Sequence, residues 1–124
     1  MEIFHEALEE GHYDCFLKEN TYLPMMYMPD AIRATIELME APAERLSVRT
    51  SYNVSALSFS PREIAAEIQK RIPGFTIRYA PDYRQQIADS WPQSIDDSVA
   101  RAEWNWRPEY DLARMTADML ENLR

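Results

Sequence analysis

With 124 residues, 46% of them hydrophobic and 11% aromatic, the sequence has the composition of one globular domain, far from the disordered regime. Its 21 acidic and 13 basic residues leave a formal net charge of −8, which excludes an electrostatic grip on phosphate backbones and removes nucleic acid from the expected partners. Only two glycines, Gly11 and Gly74, are present, and a loop that cradles phosphates needs several close together. No apolar run reaches the roughly 18 residues of a membrane span. No secretory leader is visible, and the single cysteine, Cys15, has no internal disulfide partner, so a reducing, cytoplasmic setting is expected.

The first residues predict a helix. Ile3, Phe4, Ala7 and Leu8 recur at helical spacing, and Gly11 suits the position just past its end. No capping residue precedes it, which reads as a cut inside a longer design. Tyr13 to Lys18 reads as a short strand, and Thr21 to Met28 as an apolar, methionine-rich stretch interrupted by Pro24. Pro29-Asp30 opens a helix with Asp30 suited to the N-cap, Ile32, Thr35, Ile36 and Met39 along one face, and Pro42 as its stop. Arg49 to Ala56 reads as a strand.

Ser60-Pro61-Arg62-Glu63 is a capping box with proline at the first helical position. Ile64, Ile68 and Ile72 form the core stripe behind it, and Pro73-Gly74 ends the helix. Phe75, Ile77 and Tyr79 alternate with Thr76 and Arg78, the pattern of a half-buried strand. Ala80 to Gln93 is expected to be loop. Ser94, with Asp97 three residues on, is expected to cap another helix with Val99 and Ala102 inward. Asp111 caps the last, whose stripe is Leu112, Met115, Met119, Leu120 and Leu123. The prediction is a mixed α/β fold over residues 1–124, with about five helices and three or four short strands, and no repeat or linker.

His5 and His12 lie seven apart, and share a helical face only if the helix runs through Gly11. A metal site wants further ligands at defined spacing, so both are expected to be surface or packing residues and no metal is expected. Cys15 sits in an apolar strand without an adjacent base and is expected to be a small buried hydrophobe. Asp96-Asp97 resembles a carboxylate pair, but acids at a helix start favour the helix dipole. Met25, Met26 and Met28 either fill core or adapt to a ligand or partner.

The loop from Arg84 to Trp91 is the leading functional candidate. An aromatic and an arginine on one loop can close over an anionic ligand, because arginine binds carboxylates bidentately. The competing readings are Trp91 as a packing anchor and Arg84 in a surface ion pair. A Tyr-x-x-x-Lys dyad, in which lysine lowers the tyrosine pKa for proton transfer, cannot be written. The two lysines, Lys18 and Lys70, follow Asp14 and Ala66 at that spacing.

Several segments together resemble a known family. Leu23-Pro24-Met25-Met26-Tyr27-Met28-Pro29-Asp30-Ala31-Ile32-Arg33-Ala34 resembles a characteristic stretch of the short-chain-type L-threonine 3-dehydrogenases, members of the extended short-chain dehydrogenases alongside the sugar-nucleotide epimerases. Ser51-Tyr52-Asn53-Val54-Ser55, Ile87-Ala88-Asp89-Ser90-Trp91-Pro92 and Ser94-Ile95-Asp96-Asp97-Ser98 are similar to that subfamily in order and spacing. The resemblance covers essentially the whole chain and only the C-terminal part of such an enzyme.

It implies the substrate-binding portion of a protein with an NAD(P)-binding Rossmann-like fold, the Rossmann N-terminal half missing. NAD, the glycine-rich loop and the catalytic residues would all belong to that half, so no catalytic or cofactor-binding residue is assigned in this chain. The implied partners are L-threonine, the dinucleotide-binding half and a possible second copy, with no membrane. Tyr52-Asn53-Val54 and the first helix would pack on the missing half. The setting would be mitochondrial in an animal. Trp91 is similar to a tryptophan near the substrate, and Arg84 either holds the substrate carboxylate or braces the loop. In sugar-nucleotide epimerases an arginine commonly lies seven residues before the aspartate matching Asp30; here that position is Leu23, which argues against a diphosphate-bearing substrate. A stand-alone binding module and the equivalent part of an epimerase are the alternatives.

Overall fold

The computed structural model describes residues 1–124. Six helices, α1 (Glu2–Glu9), α2 (Met28–Glu40), α3 (Pro61–Arg71), α4 (Arg84–Asp89), α5 (Ser98–Trp104) and α6 (Leu112–Leu123), alternate with four short strands, β1 (His12–Cys15), β2 (Leu23–Met25), β3 (Leu57–Phe59) and β4 (Thr76–Tyr79). A single 3₁₀ turn occupies Ala43–Arg45. β1 and β4 pair in parallel with Tyr13 opposite Ile77; β2 and β3 pair antiparallel with Leu23 opposite Phe59. The mixed α/β reading holds.

Local signals explain several boundaries. Glu10 and Gly11 both donate to the Glu6 carbonyl, and Gly11 takes φ +67, which closes α1 in the left-handed conformation glycine adopts freely. Ser60 caps α3 by accepting from the Glu63 N–H at 3.3 Å, while the Glu63 carboxylate accepts from the Tyr22 hydroxyl. The capping box is thus spent half on the helix and half on the loop before β2. Asp111 caps α6 by accepting from the Arg114 N–H at 2.8 Å.

The main core lies where α1, α3 and α6 cover the β1–β4 pair. Phe4, Ile68, Phe75 and Leu120 are its most enclosed members, with Met115, Met119 and Cys15 beside them. A second cluster joins Ala34 of α2 to Ala100 and Trp104 of α5 and to Trp106. Trp106 is fully enclosed and donates its indole N–H to the Ser55 carbonyl at 2.9 Å.

Several sequence expectations need correction. Asp30 is not an N-cap: α2 begins at Met28, after Tyr27, and Asp30 is a buried residue of its first turn. Its carboxylate accepts from the Glu109 and Tyr110 backbone N–H groups at 3.0–3.2 Å and from Arg33 at 3.0 Å. The apolar face of α2 points outward: Ile32, Ile36 and Met39 are 54%, 48% and 80% exposed, and Ala34 faces the core instead.

Arg49 to Ala56 forms no strand; it pairs with no strand of the chain, and β3 starts only at Leu57. Residues 80–93 are not all loop, since α4 lies within them. α5 begins at Ser98 without a side-chain cap from Ser94 or Asp97. Val99 and Ala102 are exposed, and Ala100 and Trp104 pack inward. The strand expected over Tyr13–Lys18 covers His12–Cys15.

Candidate functional site

α4 is placed by the end of the parallel pair. Ala80 donates to the Cys15 carbonyl and Asp82 to the Phe16 carbonyl, so the chain leaves β4 still tied to β1. The Asp82 carboxylate then accepts from the Arg84 N–H at 2.8 Å, an acid at a helix start in the arrangement the dipole favours. It also takes the Arg84 guanidinium, with Nη2 to Oδ2 at 2.6 Å, and that guanidinium lies 3.5 Å above the Phe16 ring. The Arg84 contact holds the Asp82 carboxyl below the usual carboxylate range. Arg84 is therefore engaged on two sides by its own chain.

The next residue of α4 organises the loop after β1. Gln85 is buried; its carbonyl oxygen accepts from the Lys18 backbone N–H at 2.7 Å and its amide nitrogen donates to Asp89 at 2.7 Å. The Gln85 amide and the Thr21 hydroxyl also bond each other at 3.1 Å. Every polar atom of the side chain has a partner, which burial requires.

α4 stops at Asp89. Ser90 and Trp91 donate their N–H groups to Ile87 and Ala88, and Pro92 prevents continuation. Ser58 of β3 bonds the Gln93 carbonyl through its hydroxyl, so the segment after the helix is pinned at both ends.

These contacts shape an open polar cavity of about 240 Å³ bordered by Lys18, Thr21, Gln85, Asp89 and Trp91. Trp91 stands at its edge, 56% exposed. Arg84 does not border it. The structure thus brings Trp91 to a cavity, and leaves Arg84 on the outer side of the same helix. Gln85, Asp89, Thr21 and Lys18 border the same cavity, and sequence reasoning did not single them out. One signal was available: Gln85 and Asp89 stand at i, i+4, a spacing at which glutamine and aspartate bond on a helix face.

A second cavity, of about 270 Å³, is almost wholly apolar and is bordered by Phe4, Cys15, Leu23, Met25, Phe59 and Ile64, among others. Thr21 borders both cavities. Leu23 is buried, so an apolar side chain occupies the position expected of a diphosphate-binding arginine in an epimerase. Met25 and Met28 are largely exposed at 43% and 64%. Cys15 is buried and its thiol is pushed up by desolvation, the state of an inert packing cysteine.

The remaining candidates lie apart. His12 bonds Thr76 of β4 at 2.7 Å across the strand pair and Asp14 of its own strand at 2.8 Å, and His5 stands on α1 away from it. Asp96 accepts from the Ser98 N–H at the start of α5, in accord with the helix-start reading. Asp97 is buried and serves tertiary structure, accepting from the Ser55 N–H at 3.1 Å and pairing with Arg101 at 2.8 Å. Neither glycine belongs to a phosphate cradle. Gly11 ends α1, and Gly74 lies between α3 and β4.

No protein-family model matches the chain. The mitochondrial L-threonine 3-dehydrogenase of Bos taurus is 52% identical over 121 residues, which are 97% of this chain and 32% of that protein. An epimerase/dehydratase of Staphylococcus haemolyticus is 52% identical over 122 residues, 98% of this chain and 38% of its own length. The GalE-like L-threonine dehydrogenase of Cupriavidus necator, solved without ligand, superposes on the whole chain with a TM-score of 0.96 at 64% identity, covering 45% of that structure. The chain corresponds to the C-terminal portion of an extended short-chain dehydrogenase.

It spans about a third of the length of the curated relatives it matches. No helix of this dehydrogenase portion is long and apolar enough to cross a membrane.

Proposed function

We propose that residues 1–124 are the substrate-binding region of an NAD-dependent L-threonine 3-dehydrogenase, which oxidises L-threonine to 2-amino-3-ketobutyrate. The observation that carries this reading is the superposition of the whole chain on 45% of the Cupriavidus necator threonine dehydrogenase at 64% identity. NAD and the proton-transfer residues belong to the dinucleotide-binding half. This chain supplies walls and closure, and turns nothing over alone.

Trp91 is the substrate-contacting residue, placed to exclude water from the reacting centre. Arg84, the other candidate, acts through position: its ion pair with Asp82 and its stack on Phe16 fix the first turn of α4, and so the direction in which Gln85 and Trp91 project. The buried Leu23 favours an amino acid over a nucleotide sugar.

The dinucleotide-binding half covers the outward face of α2. Met28, Ile32, Ile36 and Met39 form an exposed apolar stripe at four- and three-residue intervals, a surface that a stable monomer seldom leaves bare. Further along the chain, residues 51–54 have no strand partner and can add to a sheet edge, while Ser55 is held by Asp97 and Trp106. The test is complementation. The pure chain should form no NADH from threonine, and addition of a dinucleotide-binding half from the Cupriavidus necator enzyme should restore it. Turnover by the chain alone, or a restored enzyme that ignores threonine and converts nucleotide sugars, would refute the reading.

A further inference from the structure

The polar cavity carries one charge of each sign, and its own chain neutralises neither. Lys18 and Asp89 both border it. Neither takes part in any ion pair, with each other or with another residue, although eight such pairs exist elsewhere in the chain. Their positions are nonetheless built. Gln85 holds the Lys18 backbone through one end of its amide and the Asp89 carboxylate through the other, so one buried side chain anchors the base of an exposed lysine and the head of an exposed aspartate. Only one oxygen of Asp89 is used in that contact, at 2.7 Å. The rest of the border is uncharged, and Trp91 stands at the edge.

We propose that Lys18 and Asp89 form a zwitterion subsite, Lys18 receiving the α-carboxylate and Asp89 the α-ammonium of a free amino acid. The proposal rests on the reading of this cavity as the substrate pocket. Opposite charges bordering one cavity match a ligand carrying both signs. They disfavour a nucleotide sugar, which would set its phosphates against Asp89 without a cation to offer in return. At about 240 Å³ the cavity is smaller than the roughly 300–1,000 Å³ of pockets for larger ligands, as a small amino acid requires.

The experiment uses the Cupriavidus necator enzyme with its matching segment replaced by this chain. K18M should raise KM for L-threonine roughly ten- to hundredfold, the loss expected of one charge-assisted hydrogen bond, with a smaller change in kcat. It should leave unchanged the oxidation of 1-amino-2-propanol, which lacks the carboxylate, and K18R should recover part of the loss. D89N should raise KM for threonine and leave unchanged that for 3-hydroxybutyrate, which lacks the ammonium.

An unaltered KM for threonine in both variants overturns the subsite while leaving the dehydrogenase reading intact. Threonine quenching of tryptophan fluorescence provides a readout independent of turnover. Quenching that K18M weakens, in an enzyme that does not oxidise threonine, supports the subsite and overturns the reaction. Absence of both quenching and turnover overturns both.

Discussion

The Gln85 side-chain carbonyl accepts the backbone N–H of Lys18 at 2.7 Å, joining residues 67 positions apart in the chain. The same amide reaches Thr21 and Asp89, so the loop after β1 and the helix after β4 share one buried connector. Replacing Gln85 by leucine removes all of these contacts and leaves the Lys18 N–H without its partner. The expected cost is about 1–3 kcal/mol, read from a thermal melt by near-ultraviolet circular dichroism. An unshifted midpoint would show that the connector is not needed.

Asp30 organises the other side of the molecule. Its buried carboxylate takes two backbone N–H groups from the turn before α6, and the Arg33 guanidinium. Asp30→Ala strands those donors and should cost about 3 kcal/mol in a urea titration, because removing one partner of a buried ionic contact leaves the other uncompensated. Asp30→Asn keeps an acceptor and should cost less. Equal losses in the two variants would contradict this account.

Glu103 supplies a pH-dependent tie. Its carboxylate accepts from the Ser47 N–H at 2.7 Å, from the Ser47 hydroxyl and from the Tyr52 hydroxyl at 2.6 Å, and the Ser47 contacts foremost hold its carboxyl below the usual glutamate range. A carboxyl lowered in the folded state stabilises it at every pH above the unfolded value, and the benefit disappears as pH falls through the folded value. Residues 47–52 should therefore loosen below the ordinary glutamate range. Amide exchange of that segment should rise on acidification in the parent and be insensitive to pH, after correction for intrinsic exchange, in E103Q.

The stripe on α2 separates stability from assembly. Ile36 and Met39 are exposed, so I36K and M39K should move the stability of the isolated chain by no more than roughly 0.5 kcal/mol. Each should weaken recovery of threonine oxidation on addition of a dinucleotide-binding half. Full recovery with both variants would place that half elsewhere.

Elements with local causes were legible in the sequence. Ser60 with Pro61 starts α3, Asp111 starts α6, and Gly11 closes α1 because each supplies its own backbone chemistry within a turn of the boundary. The isoleucine stripe of α3 and the alternation of Phe75, Ile77 and Tyr79 announced the main core by the same logic. The family was legible too, since the runs from Leu23 to Ala34 and from Ile87 to Pro92 lie within the stretch that the relatives share at 52% identity or more.

Periodicity shows that α2 has an apolar face, but not what covers it. The helix puts Ala34 inward and Ile36 outward, because Trp104 of α5 and Trp106 just beyond it pack against the Ala34 face. The signal at Asp30 was read as a cap because local rules are blind to the Glu109 and Tyr110 amides, which arrive from a distant part of the chain. RTSYNVSA has the composition of a strand, yet a strand is defined by its partner, and none is present within this chain. The cavity that gathers Lys18, Asp89 and Trp91 likewise exists only after β1 and β4 pair, since no spacing along the sequence relates those residues. Propensity and capping act within a few residues and can be read directly; burial and charge placement depend on contacts between distant segments, which only the tertiary structure decided.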